Sequence, residues 1–163
     1  MSEEPILQKE FIQYMLINAP LEKALRKYQR YPKRIRYLMD LLRVIAEQDR
    51  DNRGLIVSVS CDEIPAGVEN IEFFTGDKKC IFHRAGGENR AYVMAFTSKE
   101  HFRKFNDTSG IVMFIGDIFG IIEPKEDIDG IVFNAGEEEV VLEKELIRAV
   151  LWIIDHNPQI EST

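Results

Sequence analysis

Apolar positions in the first third of the chain recur at helical spacing. From Ile6 to Asn18 they fall at Leu7, Phe11, Tyr14 and Met15, and Pro5 suits a first helical turn. Pro20 opens a second predicted helix. Its Leu21, Ala24, Leu25 and Tyr28 form one apolar stripe, with Lys23, Arg26, Lys27 and Arg30 outside it. Pro32 opens a third, in which Ile35, Leu38, Met39, Leu42, Ile45 and Ala46 keep the cleanest helical period of the sequence. The run Asp49-Arg50-Asp51-Asn52-Arg53-Gly54 breaks it.

After Gly54 the pattern becomes β-branched and apolar. Leu55 to Val59 and Ile111 to Ile115 read as buried strands, and Ile64 to Asn70, with Pro65 and Gly67, as a loop. Lys79 to Arg84 and Ala91 to Phe96 read as two strands joined by a hairpin connection through Gly86 and Gly87. Thr97 followed by Glu100 has capping-box spacing and predicts a short helix from Ser98 to Phe105. Asp117 to Ile122 allows at most a single turn before Pro124. Ile131 to Phe133 and Val140 to Leu142 flank Asn134-Ala135-Gly136 as a hairpin, and a helix from Lys144 to about His156 follows. The pattern predicts an α+β fold: a mixed, mostly antiparallel sheet of about five or six strands packed against the N-terminal helices and a C-terminal helix. One domain over residues 1–163 accommodates it.

Composition narrows the class. A hydrophobic share of 45% with 30% charged residues excludes disorder and low complexity. No apolar run approaches the ~18 residues a bilayer demands, and Met1-Ser2-Glu3-Glu4 is acidic where a leader is basic. Two cysteines, Cys61 and Cys80, fit a reduced cytoplasm better than a disulfide scaffold. The net charge of −7 argues against nucleic-acid binding. It is unevenly spread: residues 1–53 carry net +3 and residues 54–163 net −10. The densest basic stretch runs from Lys23 to Arg36 without an acid.

The order of several motifs resembles a family. Asn18-Ala19-Pro20-Leu21-Glu22-Lys23-Ala24-Leu25 is similar to the N-x-x-L-E-x-A-L opening of the SseB-like N-terminal domain. Ala91 to Phe102 resembles its strand leading into an F-T-[SD]-x-E-x-[LF] helix, and Gly130-Ile131-Val132-Phe133-Asn134 its G-[LI]-V-[LI]-N-P hairpin, with Ala135 in place of the proline. The resemblance covers residues 18–156 and leaves 1–17 as a helical extension. It implies a bacterial, cytoplasmic interaction module and brings no catalytic motif with it.

Candidate chemistry is sparse. Cys80 and His83 have ligand-like spacing, but positions i and i+3 of a strand face opposite ways, so no metal site is expected. Asp49-x-Asp51-x-Arg53 starts like a calcium loop, yet Arg53 repels a cation and the twelfth position is Ser60. No serine stands in a nucleophile elbow. Cys61 precedes Asp62-Glu63, which blunt a thiol. Gly86-Gly87 lies between strands rather than ahead of a helix, which excludes a phosphate loop. The run Glu137-Glu138-Glu139 reads as a solvated turn. No catalytic residue, cofactor or metal is assigned. Two sets of surface candidates remain. Phe11, Tyr14, Met15, Phe73 and Phe74 are candidate interaction residues for a protein partner or for self-association. Arg30, Lys33, Arg34 and Arg36 are candidate contacts for an anion. The expected function is a non-catalytic protein-interaction or regulatory module, with an amino-acid or anion-binding domain as the alternative.

Overall fold

Three helices lead the chain: α1 (Glu4–Met15), α2 (Ala19–Arg30) and α3 (Ile35–Arg50). Then follow β1 (Gly54–Cys61), β2 (Ile71–Phe73), β3 (Cys80–Phe82), β4 (Arg84–Ala85), β5 (Tyr92–Phe96), α4 (Lys99–Phe105) and β6 (Ser109–Phe114). The chain continues through α5 (Ile115–Ile122), β7 (Gly130–Phe133), β8 (Val140–Glu143) and α6 (Lys144–His156). This computed structural model describes residues 4–61, 71–73, 80–86, 89–105, 109–136 and 138–156. The loop expected at Ile64 to Asn70 lies outside them.

The fold is α+β. Six strands run in the order β2-β6-β1-β5-β7-β8, while β3 pairs with β1 and β4 with β5. Pairs β2–β6 and β5–β7 are parallel and the other five antiparallel. Strict alternation along the strands divides the core. Leu55, Val57, Val59, Val93, Ala95, Ile131 and Phe133 face α2, α3, α5 and α6. Ile56, Tyr92, Met94, Phe96, Val112 and Val132 face the other way, toward Ile12 and Met15 of α1 and Phe102 of α4. The N-terminal helices therefore do not share one face: α1 covers the side opposite α2 and α3. Gly54 permits this, because a Cβ there would lie 2.6 Å from the Met15 methyl.

The elements depart from the sequence pattern where tertiary bonds outweigh local signals. The helix expected over Ile6 to Asn18 ends at Met15, and Asn18 lies beyond it with its side chain bonded to Gly54 O. Pro32 lies in the turn before α3, which starts at Ile35. The single strand expected over Lys79 to Arg84 is two. β1 and β5 pair only at Ile56–Val57 with Ala95–Phe96, so the segment 80–85 fills the fork between them, bonding first β1 and then β5. His83 marks the crossing: its N–H donates to Ser58 O at 2.9 Å, and its ring nitrogens lie 2.9 Å from Ser58 Oγ and Ser60 Oγ. Burial lowers the His83 pKa.

Residues 115–122 form two turns of helix, where a single turn was expected. Ile115, Ile118, Phe119 and Ile122 fall at i, i+3, i+4 and i+7 and are all fully buried. Each such burial contributes about 1.5–3 kcal/mol, enough to hold a helix too short to stand alone. The Asp49 carboxylate completes its start by accepting from the Gly116 N–H at 2.7 Å. Burial pushes the Asp49 pKa up, against the pull of that bond. The cap of α4 is displaced by one residue. Ser98 Oγ, not Thr97, accepts from the His101 N–H.

Thr97 belongs instead to a buried polar junction. Asn18 Nδ2 donates to Gly54 O at 2.9 Å and to Thr97 O at 3.0 Å, and its Oδ1 accepts from Gln48 Nε2 at 2.9 Å. Asn134, at φ 53°, accepts from the Thr97 N–H through Oδ1 at 2.9 Å. Thr97 Oγ1 donates to Glu22 at 2.6 Å. Asn18, Gln48, Thr97 and Asn134 are all buried, so each bond replaces water that cannot reach them. Asn18→Ala strips donors from two carbonyls and an acceptor from Gln48. It is expected to lower the stability measured by urea unfolding by about 3 kcal/mol, with the denaturant slope unchanged. A loss below about 1 kcal/mol would show that the junction does not hold these elements.

Candidate functional site

The outer surface of α2, α3 and α6 forms an open groove of about 550 Å³. Lys27 lines it from α2, Arg36, Tyr37, Met39, Asp40 and Arg43 from α3, and Ile153 from α6. The helices supply these side chains because their other faces are spent on the core: Leu21, Ala24 and Leu25 of α2, and Leu41, Leu42 and Ile45 of α3, are buried. Arg36, Asp40 and Arg43 fall at i, i+4 and i+7 on the opposite stripe.

The charges of the groove are unequal. Arg43 pairs with Asp40 and, at 2.7 Å, with Glu47. The bond it donates to Asp40 foremost, and the one to Glu47, raise its pKa. Among the described residues, Lys27 and Arg36 have no ion-pair partner. The arrangement therefore presents two unmatched cations beside an apolar wall of Tyr37, Met39 and Ile153. Met39 is 58% exposed and Ile35, one turn before it, 69%. Trp152, next to Ile153 on α6, is 61% exposed and stacks on His156 with ring centroids 4.5 Å apart.

Of the residues expected to contact an anion, Arg36 alone lines the groove. Arg30, Lys33 and Arg34 are exposed at the α2–α3 turn. There Arg30 lies 5.8 Å over the Tyr31 ring, Tyr31 stacks on Tyr37 at 5.4 Å, and Arg36 lies 5.8 Å over Tyr37. Lys27 and Arg43 join the groove only because α2 and α3 fold back on each other. The signal available in the sequence was the i, i+7 spacing of Arg36 and Arg43.

The candidate interaction residues divide. Phe11 and Tyr14 are 40% and 43% exposed, but part of each ring seats α1. Phe11 meets Phe114 edge-on at 6.3 Å, and Arg53 lies 3.9 Å over Tyr14 while donating to its carbonyl at 2.8 Å. Met15 is fully buried against the sheet and is a core residue, not a contact residue. Phe73 is the last residue of β2, and Phe74 lies outside the described residues.

One cluster escaped the sequence reading. Ser98 Oγ lies 2.7 Å from His101 Nδ1, and His101 Nε2 lies 3.0 Å from Glu138. Glu138 thus pairs with α4 while its side chain stays 44% exposed; Glu137 lies outside the described residues. Serine, histidine and carboxylate follow one another as in a nucleophilic relay, with the ring nitrogens exchanged. Yet each bond has a structural role. Ser98 caps α4 through the His101 N–H, and His101 ties that helix to the turn after β7 and, at 3.6 Å, to Glu22 of α2. Among the described residues no group of three or more His, Cys, Asp or Glu is arranged to hold a metal ion, and no helix is long and apolar enough to cross a membrane. Comparison with protein families, curated proteins and solved structures gives no match for this chain.

The bond from His101 lowers the Glu138 pKa, helped by the charges of His101, Arg26 and Lys104 and opposed by burial. The stability this contributes is present above the ordinary value of 4.5 and is lost as the pH falls through the lowered one. Glu138→Gln is expected to flatten the acid limb of a urea-midpoint profile recorded from about pH 3 to pH 7. An unchanged acid limb would show that the pairing adds nothing.

Proposed function

We propose that this chain is a non-catalytic interaction module of the SseB-like type, working in the cytoplasm, and that it takes an acidic segment of a partner protein into the groove of α2, α3 and α6. The observation that carries the reading is the pair Lys27 and Arg36, unmatched among the described residues, beside Tyr37, Met39 and Ile153. Two cations attract carboxylates, and the apolar wall rewards an aliphatic or aromatic residue between them. The groove is open along α3, which suits a chain segment. Small ligands favour sites that bury most of their surface. The SseB-like resemblance supports the family reading through its motif residues. Asn18, Glu22, Thr97 and Asn134 come from three separate motifs and meet in one junction. The alternative is an amino acid or small anion held by the same two cations.

The test uses a synthetic peptide of about ten residues alternating Glu and Leu, with phosphate as the small-anion probe. Binding is read as heat by titration calorimetry, since the single tryptophan, Trp152, stacks on His156 and does not line the groove. The peptide is expected to give a saturable binding heat, weaker at high salt. The exposed double substitution Lys27→Glu, Arg36→Glu is expected to keep the fold and weaken binding at least about tenfold, or ~1.4 kcal/mol. Equal binding by the variant refutes the groove. Saturation of the same signal by phosphate alone moves the reading to a small anion, and a peptide-independent rise in mass with concentration moves it to a second copy of the chain.

A further inference from the structure

The chain has two cysteines, and the sheet places them opposite each other. In the β1–β3 ladder Val59 faces Phe82, Ser60 faces Ile81 and Cys61 faces Cys80. The hydrogen-bond phase of that ladder is fixed one step earlier, where the His83 N–H donates to Ser58 O at 2.9 Å. Antiparallel pairs alternate between hydrogen-bonded and non-hydrogen-bonded. Ser58/His83 is bonded, so Val59/Phe82 is not, Ser60/Ile81 is, and Cys61/Cys80 is not. A non-bonded pair brings its Cα atoms to about 4.5 Å, inside the roughly 4.4–6.8 Å window of a disulfide.

We propose that Cys61 and Cys80 form a reversible cross-strand disulfide, a redox-sensitive tether between β1 and β3. The oxidant is an oxidised low-molecular-weight thiol of the glutathione type. One cysteine thiolate attacks a sulfur of that disulfide and displaces one small thiolate. The other cysteine thiolate then attacks the protein sulfur of the mixed disulfide and displaces the second. The two cysteines lose two electrons and two protons, and the small disulfide becomes two thiols. The bond closes the chain between positions 61 and 80 into a covalent loop. That loop contains β2, which pairs with β6 at one end of the sheet order, while β3 joins β1 on its far side. Oxidation therefore encloses β2 in a covalent loop whose two ends are tied together at β1 and β3. Two thiols opposed in this way are compatible with a reducing compartment, where protein disulfides are transient and regulatory.

The full chain in its native state, equilibrated with mixtures of reduced and oxidised glutathione, tests this. Thiols are trapped by alkylation and each species is read by mass. The expected product is a monomer lighter by about 2 Da than the reduced chain, with both thiols blocked to alkylation and no attached glutathione. It is expected to form at least about tenfold more favourably in the native chain than in urea, because the ladder pre-positions the pair. Cys61→Ser and Cys80→Ser, tested separately, are expected to stop at the mixed disulfide. A native chain that accumulates glutathione on both cysteines, or links to a second chain, overturns the proposal. So does an internal bond that forms no better in the native chain than in urea. None of these readouts depends on the groove or its ligand.

Discussion

The fold turns on how three strand ends are satisfied where the helices meet them. β1 begins at Gly54, and β5 and β7 end at Phe96 and Phe133, so backbone groups at this level have run out of strand partners. A buried carbonyl left without a donor costs about 1–3 kcal/mol. The Asn18 amide meets two of them with its two N–H groups, and Gln48 fixes its orientation from α3. Asn134 reaches back to the Thr97 N–H only because its own backbone adopts a positive φ. Apolar packing would leave α2 and α3 free to slide along the sheet. These bonds define one position, since a shift of a single residue would break them together.

This junction explains why local signals misplace several boundaries. Asn18 stands at the cap position of α2 yet makes no side-chain cap bond: its Oδ1, the atom a cap would use, accepts from Gln48, and its two donors go to Gly54 O and Thr97 O. Thr97 has capping-box spacing, but its hydroxyl goes to Glu22, and Ser98 takes over the cap. Tertiary hydrogen bonds outbid local ones wherever the alternative is an unsatisfied group in the core. The short helix α5 belongs to the same class. Its apolar spacing was visible in the sequence, but the carboxylate that starts it comes from Asp49, 67 residues earlier.

Periodicity predicts the buried face of α2 well, but in α3 its stripe takes in Ile35 and Met39, which stand exposed, while Leu41 and Val44 outside the stripe are buried. The stripe Leu21, Ala24, Leu25 and the buried run Leu55 to Val59 are reproduced in the core. Burial of a repeating pattern needs no knowledge of the partner, whereas pairing does. The fork that divides residues 80–85 between β1 and β5 is set by where those two strands diverge, and no local pattern encodes that point. The candidate site was half legible for the same reason. The basic stretch from Lys23 to Arg36 is evident, but Lys27 and Arg43 become neighbours only through the packing of α2 on α3.

The groove and the junction lie on opposite faces of the same two helices, and this separates stability from recognition. Exposed charges such as Lys27 and Arg36 contribute little to folding, since even well-formed surface ion pairs are worth only about 0–1 kcal/mol. They are therefore free to be set by what the surface meets. Their placement is another matter. Two cations present a defined spacing only if the helices carrying them are held still, and α2 and α3 are held on their inner faces by Leu21, Leu25, Leu41 and Ile45 and by the bonds of Glu22, Gln48 and Asn18. Loosening the junction would blur the spacing of the groove without touching a residue in it, while altering Lys27 or Arg36 would change its charge without loosening the fold.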